Sequence, residues 1–344
     1  MRTRLTELLE IEHPILCAGM GFVAVPELVA AVSNAGGLGL LATATIGPGE
    51  VHESLREIRK RTERPFGANV TLQFETSEEN ARILIEERVP VINLSLGIEP
   101  WIIDAVHAYG GRVLSTVTNL RHAMSAEAKG ADGLIVTGHE AGGHGGEATS
   151  LVVLPLIASR LGIPVVAAGG FGDGRGLAAA LVLGAEGISM GTRFALSVES
   201  PMHERVKQLA FGLSERDTLY TDRIDGMGTR FLETERVAAM ARSMSWLDAL
   251  RSLPKVKRAL RLSWPEVIRA GLRSGPDIRK ALSQAQIAGN THEGLAGGDY
   301  ERGIVPGGQV VGAIDEALPC DQIVAGTVAE AEHILRERAA ATAG

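Results

Sequence analysis

The segment Gly138–Glu147, GHEAGGHGGE, holds the densest chemistry in the chain. His144 lies between two glycine pairs, so a side chain that titrates near neutral pH sits on a backbone with little steric constraint. Such a residue can take up a proton, release one or orient an anion, and His144 is the candidate catalytic residue. His139 and Glu140 stand close by in sequence. Their i, i+1, i+5 spacing with His144 on a glycine-rich loop matches no common zinc arrangement, and no metal is expected.

Other glycines cluster at the ends of apolar runs. Gly169–Gly170, followed by Phe171–Gly174 (FGDG), and Gly191–Thr192 place bare backbone where short helices begin, an arrangement that offers N–H groups to a phosphate. The other reading of these glycines is a pair of tight turns. Gly19–Met20–Gly21 would let a flat ring lie against backbone. Asn69, in GANVTL, puts an amide in an apolar strand, where it must find a partner in the protein or in a ligand. Cys17 ends the same run as Gly19 and is either a wall of the pocket or a small core hydrophobe. The sequence contains no GxSxG elbow, P-loop or HExxH.

The elements that must hold these residues alternate regularly. Candidate strands run over His13–Gly19, Gly37–Thr43, Phe66–Leu72, Val89–Gly97, Arg112–Thr118, Gly133–Gly138, Pro164–Gly170 and Gly187–Phe194. Most are apolar throughout, as parallel strands covered on both faces must be. Helical segments lie between them; Pro26–Asn34, for example, opens on proline and is followed by Gly36. Eight strand–helix units in about 200 residues predict a (β/α)8 TIM barrel, with a doubly wound sheet as the alternative. In a barrel the candidate residues fall at the C-terminal ends of strands, where such folds bind ligands.

The rhythm changes after Phe194. We expect the barrel over 1–215, a small helical substrate or lid domain inserted over 216–300, and a glycine-rich return with a closing helix over 301–344. Within 251–280 nine basic residues, Arg258 and Arg261 among them, face two acidic ones, in a chain whose net charge is −7. That stretch is either a solvated helical face or a cationic lid for an anionic substrate.

Composition sets the remaining bounds. The chain has 344 residues, 45% of them hydrophobic and 22% charged, enough for a large core and unlike a disordered protein. Its acidic balance argues against nucleic acid as a partner. MRTRLTELLEIEH lacks the apolar stretch of a signal peptide and no run is long enough to span a membrane, so a cytoplasmic location is expected. Two cysteines make no disulfide framework.

The runs HPILCAGMG, LVAAVSNAGGLGLLAT, PFGANVTL, EAGGHGG, PVVAAGGFGDGRGLAAAL and GISMGTRF, in this order across nearly the whole chain, resemble the nitronate monooxygenase (2-nitropropane dioxygenase) family. EAGGH and the late GGQ are also similar to FMN-dependent enoyl-acyl-carrier-protein reductases. DRIDGMGTRFLETE and NTHEGLAGGDYERGIVPGGQVVGAIDE look most like FMN enzymes that act on CoA thioesters in steroid-ring degradation. The resemblance implies an FMN-binding barrel. Gly19, Met20 and Gly21 would contact the isoalloxazine, Asn69 its polar edge, and Gly142 and Gly143 would lie along the cofactor. Gly169, Gly170, Gly191 and Thr192 would hold its phosphate, His144 matches the active-site histidine, and Gln309 the glutamine of the late glycine loop. Cys17 and Ala18 stand where related sequences often have Gln and Gly, and Thr116 where quinone-reductase relatives carry lysine. The implied function is oxidation of alkyl nitronates with O2. The alternatives are an NAD(P)H-dependent FMN oxidoreductase of a CoA or acyl-carrier-protein thioester, whose phosphates Arg258 and Arg261 would grip, and a non-catalytic flavin barrel. The expected partner is a small molecule, and an oligomer is compatible with the sequence.

Overall fold

The computed structural model describes residues 1–74, 76–224, 226–242, 265 and 278–342. Eight parallel strands close into a barrel: β1 (Ile15–Cys17), β2 (Leu38–Ala42), β3 (Gly67–Thr71), β4 (Val91–Ser95), β5 (Arg112–Val117), β6 (Gly133–Thr137), β8 (Val165–Ala168) and β9 (Gly187–Met190). The last strand returns to the first in the register Ile15↔Ile188 to Cys17↔Met190. Each expected strand is present, and the fold is the (β/α)8 barrel rather than an open sheet. Between strands the helices form where the caps allow. Pro26–Asn34 starts on its proline, and the chain leaves it through Gly36 at φ +87°, a conformation that glycine adopts without strain.

Alternation along the strands divides the barrel into two cores. Ile15, Cys17, Ile188 and Met190 point outward into the layer of helices. Leu16, Leu38, Leu40, Val91, Leu114, Ile135 and Val166 point inward, and Leu5 and Leu9 of the helix Arg4–Leu9 join them to close the N-terminal end. Two residues further along β3, β4 and β5 the inward positions become Asn69, Asn93 and Thr116. The interior is therefore apolar at one end and polar at the other, and the polar end is the C-terminal mouth.

Two segments differ from the sequence reading. The eighth strand stops at Met190, because Gly191 breaks it and Thr192–Ala195 turns into a short helix. The insert expected to be helical begins with a hairpin, β10 (Thr218–Thr221) and β11 (Thr229–Leu232), in the register Thr218↔Leu232 to Thr221↔Thr229. TLYT and TRFL are rich in β-branched and aromatic residues and flank a turn containing Gly226 at φ +80°. A two-residue strand β7 (Gly143–His144) pairs with β11 to complete a three-stranded antiparallel sheet over the barrel mouth. Helices Glu235–Arg242 and Ile278–Leu295 follow, and the helix Cys320–Thr342 packs back on the barrel's outer layer. Arg258 and Arg261 lie outside the described residues.

Candidate active site

Fully buried strands become accessible just where the candidate glycines begin. Ile15–Cys17 and Gly187–Met190 are buried, whereas Gly19, Met20, Gly21, Gly191 and Thr192 are half-buried around the mouth, with Gly143 and Gly169. Close approaches link several of them. A Cβ on Gly19 would lie 2.4 Å from the Asn69 Cβ, one on Gly169 would lie 3.1 Å from the Ala141 nitrogen, and one on Gly191 would lie 3.6 Å from Met20 Sδ. The Gly308 N–H donates to Thr192 Oγ1 at 3.0 Å, and the Gln309 N–H donates to the Glu140 carbonyl at 3.0 Å. The structure thus brings together Gly19, Met20, Gly21, Asn69, Gly142, Gly143, Gly169, Gly170, Gly191, Thr192 and Gln309 at the C-terminal ends of the strands.

The floor of the mouth is a row of neutral hydrogen bonds. Asn69 Nδ2 donates to Asn93 Oδ1 at 2.8 Å and to Ser95 Oγ at 3.2 Å, while Asn69 Oδ1 accepts from Thr71 Oγ1 at 3.1 Å. Asn93 Nδ2 in turn donates to Thr116 Oγ1 at 3.0 Å. Both amides are buried, where an unmet donor is costly, so the row fixes which way the Asn69 amide faces. Asn93 and its link to Thr116 escaped the sequence reading. The signal was present, since Asn93 in VINLS is as isolated among apolar residues as Asn69 in GANVTL.

His144 is exposed on β7 at the rim, opposite Thr229 in the pairing with β11. Its glycine-rich loop is held from outside at several points. The His139 N–H donates to the Ala148 carbonyl at 2.8 Å, and the Gly145 N–H to the Gly228 carbonyl at 3.2 Å. Tyr220 Oη donates to the Gly145 carbonyl at 3.1 Å. The Ser150 backbone N–H donates to the Glu140 carboxylate at 3.0 Å, as does Ser150 Oγ, also at 3.0 Å. Arg230, only 3% exposed, donates to the His139 carbonyl from Nε at 3.2 Å and Nη2 at 3.0 Å, and to Thr218 Oγ1 from Nη1 at 3.0 Å. Burial pulls the Arg230 guanidinium down from its ordinary pKa, against the pull of nearby Glu140. Burial also pushes the Tyr220 phenol up.

Cys17 does not line the mouth. Its side chain faces outward into the apolar layer, wholly buried, because the parity of β1 turns Leu16 rather than Cys17 toward the axis. Burial pushes its thiol far above the ordinary range. Among the described residues no group of three His, Cys, Asp or Glu is placed to hold a metal ion, and no helix is long and apolar enough to cross a membrane.

Comparison with known proteins agrees with this architecture. The family model for nitronate monooxygenase matches residues 2–330. The chain is 38% identical over 341 residues to the (3aS,4S,5R,7aS)-5-hydroxy-7a-methyl-1-oxo-octahydro-1H-indene-4-carboxyl-CoA dehydrogenase of Mycobacterium tuberculosis, covering 96% of each. It is 31% identical over 287 residues to a probable nitronate monooxygenase of Staphylococcus saprophyticus, covering 70% of this chain and 81% of that one. The solved structure of FabK from Thermotoga maritima superposes with a TM-score of 0.84 at 35% identity, covering 99% of both chains. The chain belongs to the nitronate monooxygenase family and is an FMN-dependent oxidoreductase.

Proposed function

We propose that the enzyme acts on the acyl part of a CoA thioester, with FMN at the C-terminal mouth and His144 as the proton-handling side chain. The observation that carries this reading is the extent of the match to the mycobacterial indene-4-carboxyl-CoA dehydrogenase. At 96% of both chains it takes in the insert at 216–300, whereas the match to the staphylococcal nitronate monooxygenase covers 70% of this chain. The insert also contains the stretch of nine basic and two acidic residues, a charge balance suited to the phosphates of CoA.

The mouth fits the cofactor. Half-buried glycines leave backbone accessible along the ends of the adjacent strands β6, β8, β9 and β1, and the ends of β8 and β9 supply N–H groups free of side-chain bulk. Gly19, Met20, Gly21, Gly142 and Gly143 would flank the ring system. Asn69, its N–H groups committed to Asn93 and Ser95, would offer an oxygen lone pair to the ring's imide N–H. Gly169, Gly170, Gly191 and Thr192 would hold the phosphate, and Gln309 would close the rim. FMN, when bound, supplies hydride or single-electron transfer. His144 would take or return the proton that accompanies the change at the acyl carbon, and the sheet β7–β11–β10 behind it would keep solvent from that side. NAD(P)H is the expected reductant if the reaction runs toward a saturated thioester.

A second reading, oxidation of alkyl nitronates with O2, is favoured by the family model itself, which matches residues 2–330. Anaerobic stopped-flow mixing separates the two. The FMN-loaded enzyme is mixed with the thioester named for the mycobacterial relative, its free acid, ethyl nitronate, NADH and NADPH. Rapid loss of flavin absorbance with the thioester, or its return when the thioester is added to nicotinamide-reduced enzyme, with no loss on nitronate, supports the thioester reading. Loss with nitronate alone replaces it by the second.

A further inference from the structure

We infer that Arg230 is a positioning residue: its guanidinium, acting through the His139 carbonyl and with Tyr220 on the Gly145 carbonyl, sets where the loop holds His144. The inference rests on the assignment of His144 made above. The segment Ala141–Gly146, AGGHGG, has four glycines in six residues, so its own backbone preference holds it nowhere. Its position must come from contacts, both the His144↔Thr229 strand pairing and those on either side of the histidine. Arg230 provides one with two N–H groups on a single carbonyl, and Tyr220 provides the other.

Three features mark this as a device rather than routine packing. Arg230 is 3% exposed and its described hydrogen bonds go to neutral oxygens, a costly placement for a cation. Its residue pairs with Gly143 in the β11–β7 register, next to the Thr229↔His144 pair, so the cation sits one position from the histidine's strand partner. The Tyr220 ring lies against both partners, with its centroid 5.5 Å from the Arg230 guanidinium carbon and 4.4 Å from the His139 ring centroid. Lysine would keep the charge and lose the planar fork that grips one carbonyl twice.

The test compares Arg230→Lys, Tyr220→Phe, His144→Ala and the double variant Arg230→Lys/His144→Ala, all as FMN-loaded protein. Rates are read with both the CoA thioester and ethyl nitronate, so that the outcome for the loop is independent of which is the substrate. Amide hydrogen exchange over 139–147 is measured alongside. We expect Arg230→Lys to lower kcat by about 10- to 100-fold with KM changed by no more than about twofold, as small misplacements of a reacting group do. Exchange over 139–147 should accelerate, and Tyr220→Phe should act in the same direction to a smaller extent. The double variant should be no slower than His144→Ala alone, because a residue that acts only through His144 has nothing left to position. Unchanged exchange in both Arg230→Lys and Tyr220→Phe overturns the inference. So does a double variant slowed by the full product of the two single effects. If His144→Ala turns over like the wild type, the assignment of His144 falls, and faster exchange in Arg230→Lys would then leave only a loop anchor without a catalytic purpose.

Discussion

Gly142 and Gly308 pass so closely that a methyl group on Gly142 would sit 2.6 Å from the Gly308 nitrogen and 2.7 Å from the Gly307 carbonyl carbon. The loop carrying His144 and the late glycine loop are thereby locked backbone to backbone. The hydrogen bond from the Gln309 N–H to the Glu140 carbonyl secures the crossing, and Gly308 reaches on to Thr192. One strand-end loop from β6, one from β9 and the return segment are thus joined into one unit at the mouth.

Gly142→Ala should break that unit. Neither contacted atom belongs to a flexible side chain, so the two loops must separate, at a cost of about 1–3 kcal/mol. Urea unfolding should show the loss, and fluorescence titration should show weaker FMN binding. A variant with wild-type stability and FMN affinity would show that the crossing constrains nothing.

Asn93→Leu tests the neutral floor. It leaves Asn69 Nδ2 without its 2.8 Å acceptor and Thr116 Oγ1 without its donor, inside the barrel. The expected loss of stability is about 1–3 kcal/mol, accompanied by weaker FMN retention because the Asn69 amide is no longer held in one orientation. Stability and FMN retention both equal to wild type would contradict the role given to the row.

How much of this was legible in the sequence depends on what each residue's neighbours revealed. The barrel was readable because fully apolar runs such as Val165–Ala168 recur between helices with proline starts and glycine exits. The mouth glycines were readable because they end those runs. Arg230 was not, since its partners are a carbonyl and a hydroxyl distant in sequence, although a cation inside TRFL, followed by two large apolar residues, was a hint of burial. The hairpin was missed because its strands have four residues each and their partner, β7, has two. Cys17 stayed open between pocket wall and core hydrophobe because strand parity is invisible until the inward set is known.

The two thiols supply a simple check on the core. Both Cys17 and Cys320 are buried and free, and burial pushes both thiols above their ordinary range. The folded protein should give no fast reaction with a disulfide reagent such as Ellman's, and the denatured protein should give two equivalents. Rapid labelling of Cys17 in the folded state would place it back at the mouth.

His13 links stability to pH. Burial holds its imidazole below the ordinary value of 6.5, the N-terminal amine adds to that effect, and Glu12 and Glu332 oppose it. Its Nδ1 is buried without a hydrogen-bond partner among the described residues. On unfolding the ring takes up a proton that the folded state refuses, so stability is lost as pH falls through 6.5 toward the lower folded value. The melting temperature of wild type relative to His13→Gln should therefore drop between about pH 7.5 and about pH 6.0. A difference that stays constant or moves the other way would contradict the assignment.

The central claim is that the C-terminal mouth holds FMN beneath His144, and a crystal structure of the FMN-loaded enzyme tests it most directly. We expect the ring system against Gly19–Gly21 and Gly142–Gly143, the Asn69 oxygen at its imide edge, the phosphate on the N–H groups of Gly169, Gly170, Gly191 and Thr192, and His144 over the ring. Flavin density anywhere else, or an ordered His144 turned away from the ring, would contradict the account.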